Sequence, residues 1–146
     1  DHLQRVVASV GTKGRCMEDN FDGVKVMVID DSKTIRRTAE SLLKKAGCEV
    51  ITAVDGFDAL AKIADTLPSI IFVDIMMPRL DGYQTCALIK NNAAFKATPV
   101  IMLSSKDSLF DRAKGRIVGS DQYLTKPFSK DELLSAIRDH VKAPAE

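Results

Sequence analysis

The 146-residue chain predicts an α/β fold, a single parallel sheet covered by helices on both faces. Three observations carry that expectation. Short apolar runs alternate five times with segments whose apolar residues recur at helical spacing, and alternation of this kind builds parallel sheets through crossover helices. The run Ile70, Ile71, Phe72, Val73 is apolar at every position, as a strand buried on both faces must be. Polar residues able to do chemistry stand at the ends of these runs, where open α/β sheets place their ligand sites.

The elements follow in order. Residues 24–29 form a first strand that ends in the paired acids Asp30 and Asp31. Ser32 is an N-cap, and Ile35, Ala39, Leu42, Leu43 and Ala46 mark the inner stripe of a helix stopped by Gly47. Residues 48–53 make a second strand, closed by the turn pair Asp55 and Gly56. The next helix is expected to carry Phe57, Leu60, Ala61 and Ala64 on one face, ending before Leu67-Pro68 because the residue before proline avoids the α region. The third strand ends at Asp74 and leads through Met77-Pro78 to Asp81-Gly82. A helix over 83–91, a fourth strand over 99–103 and a helix over 107–117 follow, the last with Phe110, Ala113 and Ile117 facing inward. Gly119 to Asp121 is a turn, and 122–125 is a short fifth strand running into Lys126, Pro127 and Phe128. Ser129 with Glu132 makes a capping box for a final helix that buries Leu133, Leu134, Ile137 and Val141.

Before this pattern, residues 1–23 lack clear periodicity and are expected to be a flexible segment, partly non-native, with Met17 as the natural start. Val6-Val7-Ala8 is too brief for a secretory signal. The packed domain is expected over 24–142, with 143–146 as a tail. The composition is that of an ordinary soluble protein, 45% hydrophobic and 28% charged. Lys+Arg 21 against Asp+Glu 20 leaves a net charge of +1, which argues against a general nucleic-acid or membrane-surface role. No apolar run approaches the roughly 20 residues of a membrane span, so no membrane insertion is expected. Cys16, Cys48 and Cys86 form no CxxC pair or metal spacing, which suits a reducing cytoplasm. Cys48 and Cys86 fall within apolar patterns and read as core fillers.

Each polar residue at the strand ends has a plain structural reading when taken alone. Asp30 and Asp31 would cap a helix, Lys126 would be a solvated lysine, and Tyr123 a half-buried strand aromatic. Asp81 reads as a residue that shapes its turn. In a parallel sheet, however, Asp30, Asp31, Asp74, Ser104 and Lys126 all reach one edge. Three carboxylates brought close resist ionisation unless a cation sits among them. Oxygen donors of this kind suit Mg²⁺, which keeps waters and takes phosphate oxygens. With a lysine ammonium and a hydroxyl opposite, the set is fit to accept a phosphoryl group on aspartate.

These motifs, Asp30-Asp31, Asp74 with Met77-Pro78 and Asp81-Gly82, Ser104, and Lys126-Pro127-Phe128, resemble those of the CheY-like receiver domain of two-component response regulators. The resemblance spans about 24–141. It implies a flavodoxin-like (βα)5 fold with strand order 2-1-3-4-5 and Asp74 as the phosphoacceptor. It further implies Mg²⁺ on Asp31, Asp74 and the Met76 backbone carbonyl, with Asp30 acting through water. Ser104 and Lys126 would meet the phosphoryl oxygens, Ser104 and Tyr123 would form the switch, and Lys126-Pro127 would be a cis peptide. The implied partners are a histidine kinase and an effector protein bound through the fourth helix, fifth strand and fifth helix. The flanks, from Val28 to Arg37, resemble the single-domain regulators of type IV pilus twitching motility. In the family, the positions two beyond the acceptor and two beyond the hydroxyl residue tune hydrolysis; here they are Met76 and Lys106.

Other classes fit less well. A phosphate sink or shuttle in a phosphorelay would use the same site. A Mg²⁺-dependent aspartyl-phosphate phosphatase would want an Asp-x-Asp arrangement on the first strand, whereas here the acids are adjacent. A flavin carrier would want a hydroxyl-rich phosphate loop where Asp30-Asp31-Ser32 stands. With only Lys142 to Glu146 after the last helix, output is expected through protein contact rather than DNA binding.

Overall fold

A computed structural model describes residues 21–105 and 109–141. Five strands and five helices alternate: β1 (Lys25–Ile29), α1 (Lys33–Lys45), β2 (Glu49–Ala53), α2 (Gly56–Thr66), β3 (Ile70–Asp74), α3 (Gly82–Lys90), β4 (Val100–Ser104), α4 (Leu109–Ile117), β5 (Gln122–Thr125) and α5 (Lys130–His140). The strands pair in parallel in the order β2-β1-β3-β4-β5, the expected arrangement. β3 and β4 are buried at every residue, which explains why their sequences do not alternate.

The core lies in two layers, one on each face of the sheet. One holds Met27, Ile29, Val73, Cys86, Ile89 and Met102, packed under α2 and α3. The other holds Val26, Val28, Phe72, Leu103, Leu133 and Ile137, packed under α1 and α5. Phe21 is buried in this second layer with Cys48, so the packed structure reaches back beyond Val24. Cys48 and Cys86 are free and buried, as core fillers are. Cys16 and Met17 lie outside the described residues.

Helix starts behave as their caps require. The side chains of Ser32, Asp55, Asp81 and Ser129 each accept a hydrogen bond from the backbone N–H three residues on. Ser129 with Glu132, and Asp81 with Gln84, complete capping boxes. Asp55-Gly56 is thus a helix entry rather than a separate turn. Val141 follows α5 as its C-cap and is half-buried.

Two expected faces are corrected. In α2 the buried residues are Gly56, Ala59 and Ile63, while Phe57 is exposed, with the Arg79 guanidinium 5.2 Å from its ring centre. The apolar residues of this helix spread over more than half its circumference, opposite Asp58, Lys62 and Asp65, so a close approach chooses which part of that arc faces inward. A Cβ on Gly56 would overlap Thr85 and Leu80. In α4 the expected inner residues Phe110 and Ile117 are 73% and 84% exposed, and Leu109 is 85% exposed. Only Gly115 of this helix is buried, resting near Met102 and Ser120. The missing side chain lets the helix lie close to the sheet, which turns its apolar residues outward.

Candidate functional site

Sheet register assembles the site. Ile29 pairs with Val73, so Asp30 and Asp74 leave neighbouring strands one step past that pair. Asp74 pairs with Leu103, which sets Ser104 beside it, and Ser104 pairs with Thr125, after which Lys126 follows. The Lys126 N–H donates to the Ser104 carbonyl at 2.6 Å, holding the two chain ends together. Its peptide bond to Pro127 is cis.

The electrostatics are those of crowded acids around one ammonium. Asp30 is fully buried, Asp74 and Ser104 nearly so, and Asp31 is exposed. Lys126 Nζ donates to Asp30 Oδ2 at 2.9 Å and to Asp74 Oδ1 at 3.0 Å. Asp30 Oδ1 also accepts the Ser32 N–H at 2.9 Å. Burial pushes the Asp74 carboxyl up to about 6; the Lys126 hydrogen bond opposes this, and the Asp30 charge adds to it. Burial works against the Lys126 charge, but its bonds to Asp30 and Asp74 outweigh it and hold the ammonium above its usual range. One lysine is therefore shared by two buried carboxylates, an arrangement with room for more positive charge.

Asp30, Asp31 and Asp74 each present a carboxylate oxygen, and these atoms lie within 4.8 Å of one another. Such hard oxygen donors fit a divalent cation of the Mg²⁺ type. The exposed Asp31 leaves the cluster open to solvent, so waters could complete the coordination shell. The same residue lines a cleft of about 660 Å³ with Met76, Ser104, Tyr83, Asp111 and Lys114. A phosphate-sized group fits that opening. Met76 is 72% exposed at its rim.

All five expected edge residues converge. Tyr123 is buried on β5 with the Arg112 guanidinium 4.6 Å from its ring centre. Asp81 caps α3, as a turn-shaping residue should. Lys106 lies outside the described residues. Two contributors, Arg36 and Tyr83, were given no role at the site from the sequence, and a third, Gly82, was read only as part of a turn. Arg36 donates to the Asp30 carbonyl at 2.7 Å, and its position one turn past the Ser32 cap was the available signal. Gly82 packs so tightly that a Cβ there would overlap the Asp74 carbonyl oxygen. Tyr83, next to it, has its ring beneath the Lys114 ammonium.

Residues 26–138 match the family model described as the response regulator receiver domain. The chain is 86% identical over 125 residues to Protein PilG of Pseudomonas aeruginosa, covering 86% of this chain and 93% of that protein. Among solved structures it is similar to the Vibrio cholerae chemotaxis protein CheY4, with 34% identity, a TM-score of 0.78, and coverage of 81% of this chain and 98% of the other. The receiver domain of Francisella response regulator 1452 is similar at 38% identity and a TM-score of 0.74, with coverage of 80% and 95%. Among the described residues, no helix is long and apolar enough to cross a membrane.

Proposed function

The chain belongs to the response regulator receiver domain family, and from that premise we propose that it accepts a phosphoryl group on Asp74 from a histidine kinase and signals through protein contact. The observation that carries this reading is the buried pair of carboxylates, Asp30 and Asp74, sharing the Lys126 ammonium beside an exposed third acid. A carboxylate oxygen of Asp74 attacks phosphorus as the bond from phosphorus to the donor's phosphohistidine nitrogen breaks, and the departing imidazole takes up a proton. Asp31, Asp74 and the Met76 carbonyl would hold Mg²⁺, with Asp30 acting through water, since its own oxygens are engaged by Lys126 and Ser32. Bound Mg²⁺ would offset the charge that gathers on the equatorial oxygens. Lys126 offers its ammonium and Ser104 its hydroxyl to those same oxygens. The protein turns over no other substrate; it catalyses only its own phosphorylation and dephosphorylation.

The phosphoryl group brings close to two negative charges at neutral pH. Ser104 and Lys126 answer that charge, and Tyr123, one strand away, moves with the Ser104 loop. The effector surface is α4, β5 and α5. Its support is the outward ridge of Leu109, Phe110 and Ile117, with Arg112 and Arg116 on one flank and Lys114 on the other. The identity to PilG and the likeness to a chemotaxis protein support a cytoplasmic role in type IV pilus twitching motility or chemotaxis-like control.

The test is labelling with radioactive acetyl phosphate or a phosphorylated kinase domain. Label should appear in wild type with Mg²⁺, vanish with EDTA, and be absent from Asp74→Asn. Label retained in that variant at the wild-type level would remove the assignment.

A further inference from the structure

Helix α4 turns its apolar residues to solvent, and Gly115 is the one residue it buries. A helix docked without an apolar face needs other attachments. Two are cation–π contacts of equal length. The Arg112 guanidinium lies 4.6 Å from the Tyr123 ring centre, and the Lys114 ammonium lies 4.6 Å from that of Tyr83. Residues two apart on a helix point about 200° away from each other, so α4 is gripped from β5 on one side and from α3 on the other. The α3 side carries a further tie, because the Tyr83 hydroxyl donates to the Asp111 backbone carbonyl at 3.2 Å. Burial first, then the Asp111 charge, pushes the Tyr83 phenol up to about 12, so it remains a neutral donor at working pH.

We propose that Tyr83 and Lys114 form a positioning latch that holds α4 in the arrangement belonging to unmodified Asp74, and so sets how readily Asp74 takes up its phosphoryl group. The inference rests on Asp74 being the phosphoacceptor. Tyr83 follows Gly82, whose backbone lies against the Asp74 carbonyl, and it lines the same cleft as Ser104 and Met76. Ser104 ends β4, and Leu109 opens α4 five positions later. Ser104, Tyr83, Asp111 and Lys114 line one cleft, so a phosphoryl group that draws Ser104 inward acts beside the turn of α4 that Tyr83 holds through Asp111. A contact made in one arrangement and lost in another biases the equilibrium by its differential strength, and the coupling is reciprocal. Weakening the latch therefore eases phosphorylation.

The experiment measures labelling by acetyl phosphate with Mg²⁺, together with thermal unfolding, in wild type, Lys114→Gln, Lys114→Arg and Tyr83→Phe. Gln is a good helix former, so it removes the cation while leaving α4 intact. Lys114→Gln should label about two- to fivefold faster at saturating donor, the factor that one half-exposed cation–π contact carries. The half-saturating donor concentration should stay unchanged, which separates the latch from simple attraction of the anion. Lys114→Arg, which stacks on the ring equally well, should keep the wild-type rate. Tyr83→Phe keeps the ring and loses the hydroxyl, and should also label faster, by a smaller factor. An equal or slower rate in Lys114→Gln and Tyr83→Phe, or a lowered melting temperature with no change in rate, overturns the latch. Absence of label from wild type would overturn the phosphoacceptor reading itself, and the latch with it.

Discussion

Replacing Lys126 by methionine tests the electrostatic design of the site, because it removes the ammonium and keeps the bulk. In wild type the Asp74 carboxyl already stands at about 6 rather than 3.8, which costs the fold about 3 kcal/mol at pH 7.5. Without Lys126, two ionised carboxylates would face each other within 4.8 Å, a repulsion of about 3 kcal/mol or more at an effective dielectric near 20. Asp74 escapes it by taking a proton. Holding that proton at pH 7.5 costs about 5 kcal/mol against an ionised unfolded chain, so the added penalty at Asp74 is capped at about 2 kcal/mol. Loss of the charged hydrogen bond to the fully buried Asp30 adds about 1.5 kcal/mol. The expected total is about 3 to 4 kcal/mol, within the range found on breaking buried ion pairs. Urea unfolding at pH 7.5 in EDTA reads it directly, with an unchanged slope confirming that stability alone has moved. Adding Asp74→Asn should recover about 2 kcal/mol more in the variant than it recovers in wild type, since the added penalty at Asp74 is then gone. Saturating Mg²⁺ should recover a similar amount, and its affinity should equal or exceed that of wild type, because a repelling cation has been removed. A loss below about 1 kcal/mol in EDTA, or a loss indifferent to both Mg²⁺ and Asp74→Asn, refutes the reasoning.

Three further outcomes are expected. In metal-free buffer the folded protein holds the Asp74 proton more tightly than the unfolded chain does, so the stability contributed at low pH is lost as pH rises from about 4 toward about 6. Asp74→Asn should therefore gain on wild type by up to about 3 kcal/mol across that window, and a flat difference in unfolding free energy between pH 4 and pH 7 contradicts the shift. Gly82→Ala should destabilise by about 1 to 3 kcal/mol and slow labelling of Asp74, because its Cβ would overlap the Asp74 carbonyl; equal unfolding midpoints would show that the loop yields freely. Met76 is exposed and apolar at the cleft rim and cannot orient a water, so the Met76→Asn, Lys106→Glu double variant should shorten the half-life of the phosphorylated protein, and an unchanged or longer half-life removes the idea.

The sheet and its functional edge were legible because they depend on strong, short-range signals. An all-apolar run such as Ile70 to Val73 has one comfortable place in an α/β domain, and the acids that end such runs are carried to one edge by parallel pairing. Faces of helices were read less well where side chains do not decide them. In α2 apolar residues cover a broad arc, and the close approach of Gly56 to Thr85 and Leu80 selects which part of it is buried. In α4 the periodicity of Phe110, Ala113 and Ile117 is real but marks the outer ridge, because Gly115 and two tyrosine rings dock the other side. Tyr83 went unread for the same reason. Its partners Asp111 and Lys114 are some thirty residues away, and no local pattern announces a cation that stacks across two helices.

The most direct test of the central claim locates the phosphoryl group chemically. Wild-type protein labelled with acetyl phosphate and Mg²⁺ is reduced with borohydride, which converts an acyl phosphate to the corresponding alcohol, and is then digested for peptide mass spectrometry. The reduced residue should be Asp74 alone, and it should be missing when EDTA replaces Mg²⁺. Reduction at Asp30 or Asp31, or at Asp74 regardless of the metal, would contradict the account.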